Sequence, residues 1–139
     1  MDVQINVWAV LLATASSMVV GTIWYARGVF GDTWMKLVKL NPKDMQKGAA
    51  VPLLLTMLAS LVTAYILAHV AYLSHAFFRH SFMQDAVTTA FWLWLGLTAA
   101  RLLVHDLFER RPKTLTLLNV AHEFVTIMVM GLVIGAFKP

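Results

Sequence analysis

The chain has 139 residues, 60% of them hydrophobic and 13% charged, with a mean hydropathy of +0.73 and a formal net charge of +4. A water-soluble domain carries about 25% charged residues, so this chain has too little polar surface to cover itself in water; its length suits one domain of roughly four spans of about 20 residues. Cysteine is absent, which removes disulfides, thiolate metal sites and cysteine nucleophiles, and the basic balance calls for no nucleic acid, because loops beside anionic lipid are basic for their own reason.

The first apolar stretch runs over about residues 5–25. It is long, and Asp2 stands where a secretory signal would be basic, so it is expected to remain as a span. Ala13, Ser17 and Gly21 recur along it at four-residue spacing, a small-residue seam that lets helix backbones approach. Trp24 and Tyr25 close it as an aromatic belt, with Phe30 and Trp34 as further interfacial groups. The next segment, "ARGVFGDTWMKLVKLNPKDMQKG", predicts a short helix capped by Asp32 and lying in the membrane surface, its Trp34, Leu37 and Val38 falling at i, i+3 and i+4. Asn41-Pro42, with Asp44 in the first turn, reads as the start of the second long helix.

The remaining spans cover about residues 51–73, 86–107 and 115–137. In the second, His69 shares a face with Tyr65 and Tyr72, while His75 and His80 are expected to be solvated loop residues. At 100° per residue, Trp94, Thr98, Arg101 and His105 share a face of the third helix, and Asn119, His122, Glu123 and Thr126 form a polar stripe on the fourth. The third helix descends to a short basic turn and the fourth climbs from it. Arg101 and Glu123 are therefore expected at similar depth, as partners in a buried polar cluster of Arg101, His105, Asn119, His122 and Glu123. Gly131 and Gly135 form a second helix-packing seam about 100° or more around the fourth helix, which could serve packing within the chain or, as the preferred expectation, meet a second protomer of a homo-oligomer.

An ionised group near the centre of a span costs about 2.5–3.5 kcal/mol on insertion scales, so such groups pair or serve a site. The cluster thus has two readings, a clamp that fixes the third helix against the fourth or a site for an ion, proton or small solute. Sharper chemistry finds no support. Thr126 stands where H-e-x-x-h would need its second histidine, and His105, His122 and Glu123 have no ligand spacing of their own, so no metal is expected. His105 and His122 lie on adjacent helices of one hairpin, unsuited to bis-histidine haem, and no cofactor is expected. The serines lack a nucleophile elbow and no glycine-rich phosphate loop is present, leaving no catalytic set.

The expected fold is all-α: a polytopic membrane protein with four transmembrane helices in one bundle over residues 1–139 and a short interfacial helix between the first two. The expected role is a non-enzymatic binding or permeation module surrounded by membrane lipids. The alternatives are an accessory subunit offering its basic face to a cytoplasmic protein partner, and a small four-helix enzyme acting on a lipophilic substrate.

The stretches "GTIWYARGVFGDTWMKL" and "LFERRPKTLTLLNVAHEFVTIMVMG", with the tryptophan-rich third span between them, resemble an uncharacterised family of small bacterial integral membrane proteins, domain of unknown function 1761. The resemblance covers nearly the whole chain in order and spacing. It implies a four-helix membrane architecture and the pattern residues Trp24, Tyr25, Phe30, Gly31, Trp34, Phe108, Glu109 and Gly131, and it implies no activity. At His122-Glu123 the family pattern has Tyr-His.

Nine lysines and arginines lie in or beside the two segments that join spans one to two and three to four; only Arg79 and Lys138 lie at the other end. Under the positive-inside rule both termini should face away from the cytoplasm of a bacterial inner membrane. A reporter active only in the cytoplasm should be silent when fused after Pro139, and strong activity there in a stably inserted fusion would overturn the orientation.

Overall fold

A computed structural model describes residues 3–41, 48–137 and 139, which contain five helices and no strand. They are α1 (Val7–Trp24), α2 (Gly31–Val38), α3 (Ala50–Phe78), α4 (Phe82–Phe108) and α5 (Lys113–Ala136). All but α2 are long and apolar enough to cross a membrane, as the composition requires. They run alternately up and down. α5 packs between α1 and α4, and α3 closes the ring against α4 and α1. Gln4, Asn6, Phe82 and Phe137 line one small hollow, so both chain ends and the α3–α4 turn share a terminal end, and the α1–α2 return and the α4–α5 turn lie at the opposite, loop end.

Local chemistry starts and stops these helices. The Asn6 side chain accepts from the backbone N–H of Trp8 and Ala9 at 3.1 and 3.3 Å, capping α1. Ser81 and Gln84 form a reciprocal capping box that begins α4. α2 departs from expectation at its start: Phe30 is the N-cap, and Asp32 lies inside the first turn, where a carboxylate favours the helix dipole without capping it. The expected helix start at Asn41-Pro42 runs into residues 42–47, outside the described residues.

In lipid, no hydrophobic force draws one apolar helix onto another; close packing of small side chains does so instead. That packing is confined to the terminal half. Ala13 of α1, Ala64, Leu67 and Ala71 of α3, and Ala86 and Ala90 of α4 meet Ile127, Met130 and Ile134 of α5. Gly131 and Gly135 belong to this contact. A Cβ on Gly131 would come within 2.8 Å of Ala90 Cβ, and one on Gly135 within 2.8 Å of Met83 Cα. The second glycine seam is therefore spent within the chain, not against another protomer, because α5 is enclosed on two sides by α1 and α4.

Towards the loop end the ring loosens. Residues 50–59 of α3 are all exposed, and beyond its π-helical turn (Trp94–Ala99) α4 buries only Asp106 fully. Gly131→Leu should overpack the α4–α5 contact at about 1–3 kcal/mol and lower the thermal midpoint of the purified protein equally at all protein concentrations. A loss that appears only on dilution would return the seam to an interface between chains.

Candidate functional site

The loop end is built by a tight return of the chain after α1. Gly28 adopts φ +84°, and Gly31 lies so close to the Tyr25 carbonyl that any Cβ would collide with it. The Phe30 N–H donates to the Trp24 carbonyl at 3.1 Å, and the rings of Trp24 and Phe30 meet at 4.5 Å. This return swings α2 across the end of the bundle. Trp34, expected on the apolar face of a helix in the membrane surface, sits edge-on to Tyr25 at 5.3 Å and lines the cleft behind it.

Behind these rings lies His122, its side chain only 15% exposed. Its ring centroid is 4.9 Å from that of Tyr25 and 5.8 Å from that of Trp24. Gly21 of α1 lies beside it, and a methyl there would meet Nε2 at 3.7 Å, an ordinary contact. Nδ1 faces Glu123 Oε1 at 3.5 Å and Nε2 faces Thr126 Oγ1 at 3.4 Å, both long for hydrogen bonds. The ring is thus held more by its aromatic walls than by polar partners. Trp24 Nε1 is buried beside it with no hydrogen-bond partner, the one such side-chain atom among the described residues.

His122 and Glu123 open into a cleft of about 540 Å³ between α1, α2, α3 and α5. Ser17 and Thr22 of α1, Thr56 and Ser60 of α3, and Thr126 of α5 line it; the Ser17, Thr22 and Thr56 hydroxyls donate to the Thr14, Met18 and Pro52 carbonyls of their own helices, which leaves their oxygen lone pairs to the cleft. Leu53 and Met18 supply apolar wall, and the exposed first turns of α3 leave the cleft open towards the side. Glu123 keeps 45% of its side chain exposed.

Arg101 and His105 do not join this cluster. Both are exposed on α4, and among the described residues the ion pair formed by Glu123 is with His122. Two physical reasons correct the expectation. Trp94 Nε1 donates to the Val120 carbonyl at 3.1 Å, and the Thr116 hydroxyl donates to Asp106 at 2.7 Å, so Arg101 lies between the levels of Val120 and Thr116, on the loop side of Glu123. In addition, the π-helical turn rotates everything after it by about 100° relative to an uninterrupted α-helix. Asn119 is half-buried and lies outside the cleft lining.

Two other polar knots were not legible in the sequence. Asp85, 2% exposed, accepts at one oxygen from His75 Nδ1 (3.0 Å) and at the other from His80 Nδ1 (3.2 Å). His75 is thus an anchored residue of α3, where a solvated loop residue was expected, while His80 lies exposed in the loop as expected and turns its Nδ1 to Asp85. The capping box is the signal that could have found Asp85, because it fixes that residue in the first turn of α4, facing the end of α3. Asp106, also buried, is held by Thr116 and Arg111 and latches the α4–α5 turn. Hollows of about 490 and 340 Å³ adjoin these knots, but the carboxylates in them already have partners. Among the described residues no three His, Cys, Asp or Glu side chains gather to hold a metal ion.

These features define an integral membrane protein with four apolar helices, packed at one end and open at the other around a histidine–carboxylate pair. The chain belongs to the family described as "Protein of unknown function (DUF1761)", which matches residues 8–135. No curated protein and no solved structure matches it.

The two carboxylates should respond oppositely to removal. Asp85→Ala deletes two hydrogen bonds to a buried charge and should cost about 1.5–3 kcal/mol in thermal unfolding. Glu123→Gln, in an open cleft without an arginine partner, should stay within about 0.5 kcal/mol of the parent. A Glu123→Gln protein as unstable as Asp85→Ala would restore the clamp reading.

Proposed function

We propose that the chain is a membrane-embedded binding module that holds a small polar or amphiphilic solute in the loop-end cleft. The observation that carries this reading is that polar side chains of three long helices line one open cavity in which a carboxylate, Glu123, keeps acceptor capacity, unlike the partnered Asp85 and Asp106. A volume of about 540 Å³ lies within the roughly 300–1,000 Å³ typical of small-molecule sites. Binding is favoured over permeation by the terminal half, where Ala13, Leu67 and Met130, all at most 1% exposed, fill the axis beyond the cleft. The basic residues at the same end argue for an opening on the cytoplasmic side of a bacterial inner membrane. A homo-oligomer would have to use faces other than the glycine seam.

The natural absence of cysteine makes the cleft testable in the intact chain. Ser60→Cys should react with a small aqueous thiol reagent about tenfold or more faster than Leu67→Cys, because a thiol in the packed half reacts only through openings costing a few kcal/mol. Equal, slow labelling at both positions would remove the binding reading.

A further inference from the structure

Glu123 is an acceptor-only group when ionised; its ionisable neighbours are the His122 ring, 3.5 Å away and too far to saturate it, and the Tyr25 phenol, which burial first and the Glu123 charge second push up to about 12. Among the described residues, none of the chain's lysines or arginines lines the cleft. Tyr25 and Trp34 line it as well, their ring planes inclined at 65° in an edge contact, so that aromatic surface borders whatever enters. An anion would meet a like charge there. A neutral solute that excluded water would leave the carboxylate desolvated with only its 3.5 Å contact to the His122 ring. An organic cation satisfies the carboxylate and the aromatic surface together. The apolar wall at Leu53 and the open side along α3 suit an apolar body behind the charged head.

From this chemistry we infer that the cleft binds an amphiphilic organic cation, an alkyl- or arylammonium, with Glu123 as its counter-charge and Tyr25 and Trp34 as its π surfaces. The inference rests on the binding reading above and adds the class of ligand. It holds for a primary or a quaternary ammonium, since cation–π attraction needs no N–H donor.

The probe is benzyltrimethylammonium, set beside its uncharged carbon isostere neopentylbenzene and the anion benzenesulfonate. Full-length Ser60→Cys protein in phosphatidylcholine nanodiscs, whose lipid has no net charge to concentrate cations, is labelled with an uncharged thiol reagent at saturating probe. Benzyltrimethylammonium should slow labelling by about tenfold, and the other two should leave it unchanged. Glu123→Gln added to Ser60→Cys should abolish the protection, and Trp34→Leu should weaken it, each read as the ratio of rates with and without probe so that a change in basal labelling cancels. Protection by the uncharged isostere equal to that by the cation overturns the inference while leaving a binding cleft. So does intact labelling that no probe slows. A Ser60→Cys thiol that never labels removes the binding reading and the inference with it. Should Glu123→Gln fail to insert, the Trp34→Leu ratio and the three-probe comparison on Ser60→Cys still decide.

Discussion

Close approach of helix backbones through alanine and glycine holds the terminal half of this bundle together, and the open loop end follows from how those residues are distributed. Ala64, Ala68 and Ala71 fall in the second half of α3, Ala86 and Ala90 in the first half of α4, and Gly131 and Gly135 in the second half of α5. Because these helices alternate in direction, all of those positions lie at one end. The other end of α3 carries Leu53, Leu54, Leu55 and Leu58, whose bulk is as well solvated by lipid as by protein. Nothing there draws α3 inward. A cavity in that position needs no special device to keep it open.

Into that opening the chain places the groups that lipid solvates worst. His122 answers its own burial with rings: Trp24 and Tyr25 cover it, and the turn through Gly28 and Gly31 brings Phe30 and Trp34 back onto those two. The short helix α2 is thus part of the site. Its amphipathic pattern is equally that of a helix lying on a membrane surface, and Trp34 serves the cleft while Lys36 and Lys39 remain exposed on the other side.

Much of this was legible from composition and period. Four spans and the short helix after the first follow from residue type and spacing, because lipid allows few other solutions; of the small-residue seam, Ala13 enters the core while Ser17 and Gly21 line the cleft. The partnership of Arg101 with Glu123 failed for a reason that helical periodicity does not contain. A face angle is computed on a regular helix, and the π-helical turn at Trp94–Ala99 breaks the count before Arg101 is reached. Depth was equally hidden, since it is set by cross-helix ties such as Trp94 to Val120. The second glycine seam was seen as a seam, but which neighbour it meets depends on the order of helices around the ring, and spacing along one helix does not specify that order.

The two carboxylates nearest to histidine show how environment divides one chemistry into two roles. Asp85 is sealed, with a separate imidazole on each oxygen, and joins the end of α3 to the start of α4 where the bundle is tightest. Any ligand there would have to displace a partner already at hydrogen-bond distance. Glu123 lies where the helices part, touches its histidine only at long range and keeps nearly half of its side chain accessible. A buried charge with satisfied oxygens stabilises a fold; a half-open charge with spare acceptor capacity, walled by aromatic rings, has interactions left to make. The difference arises from splay alone, because the packing residues that close the bundle around Asp85 stop short of Glu123.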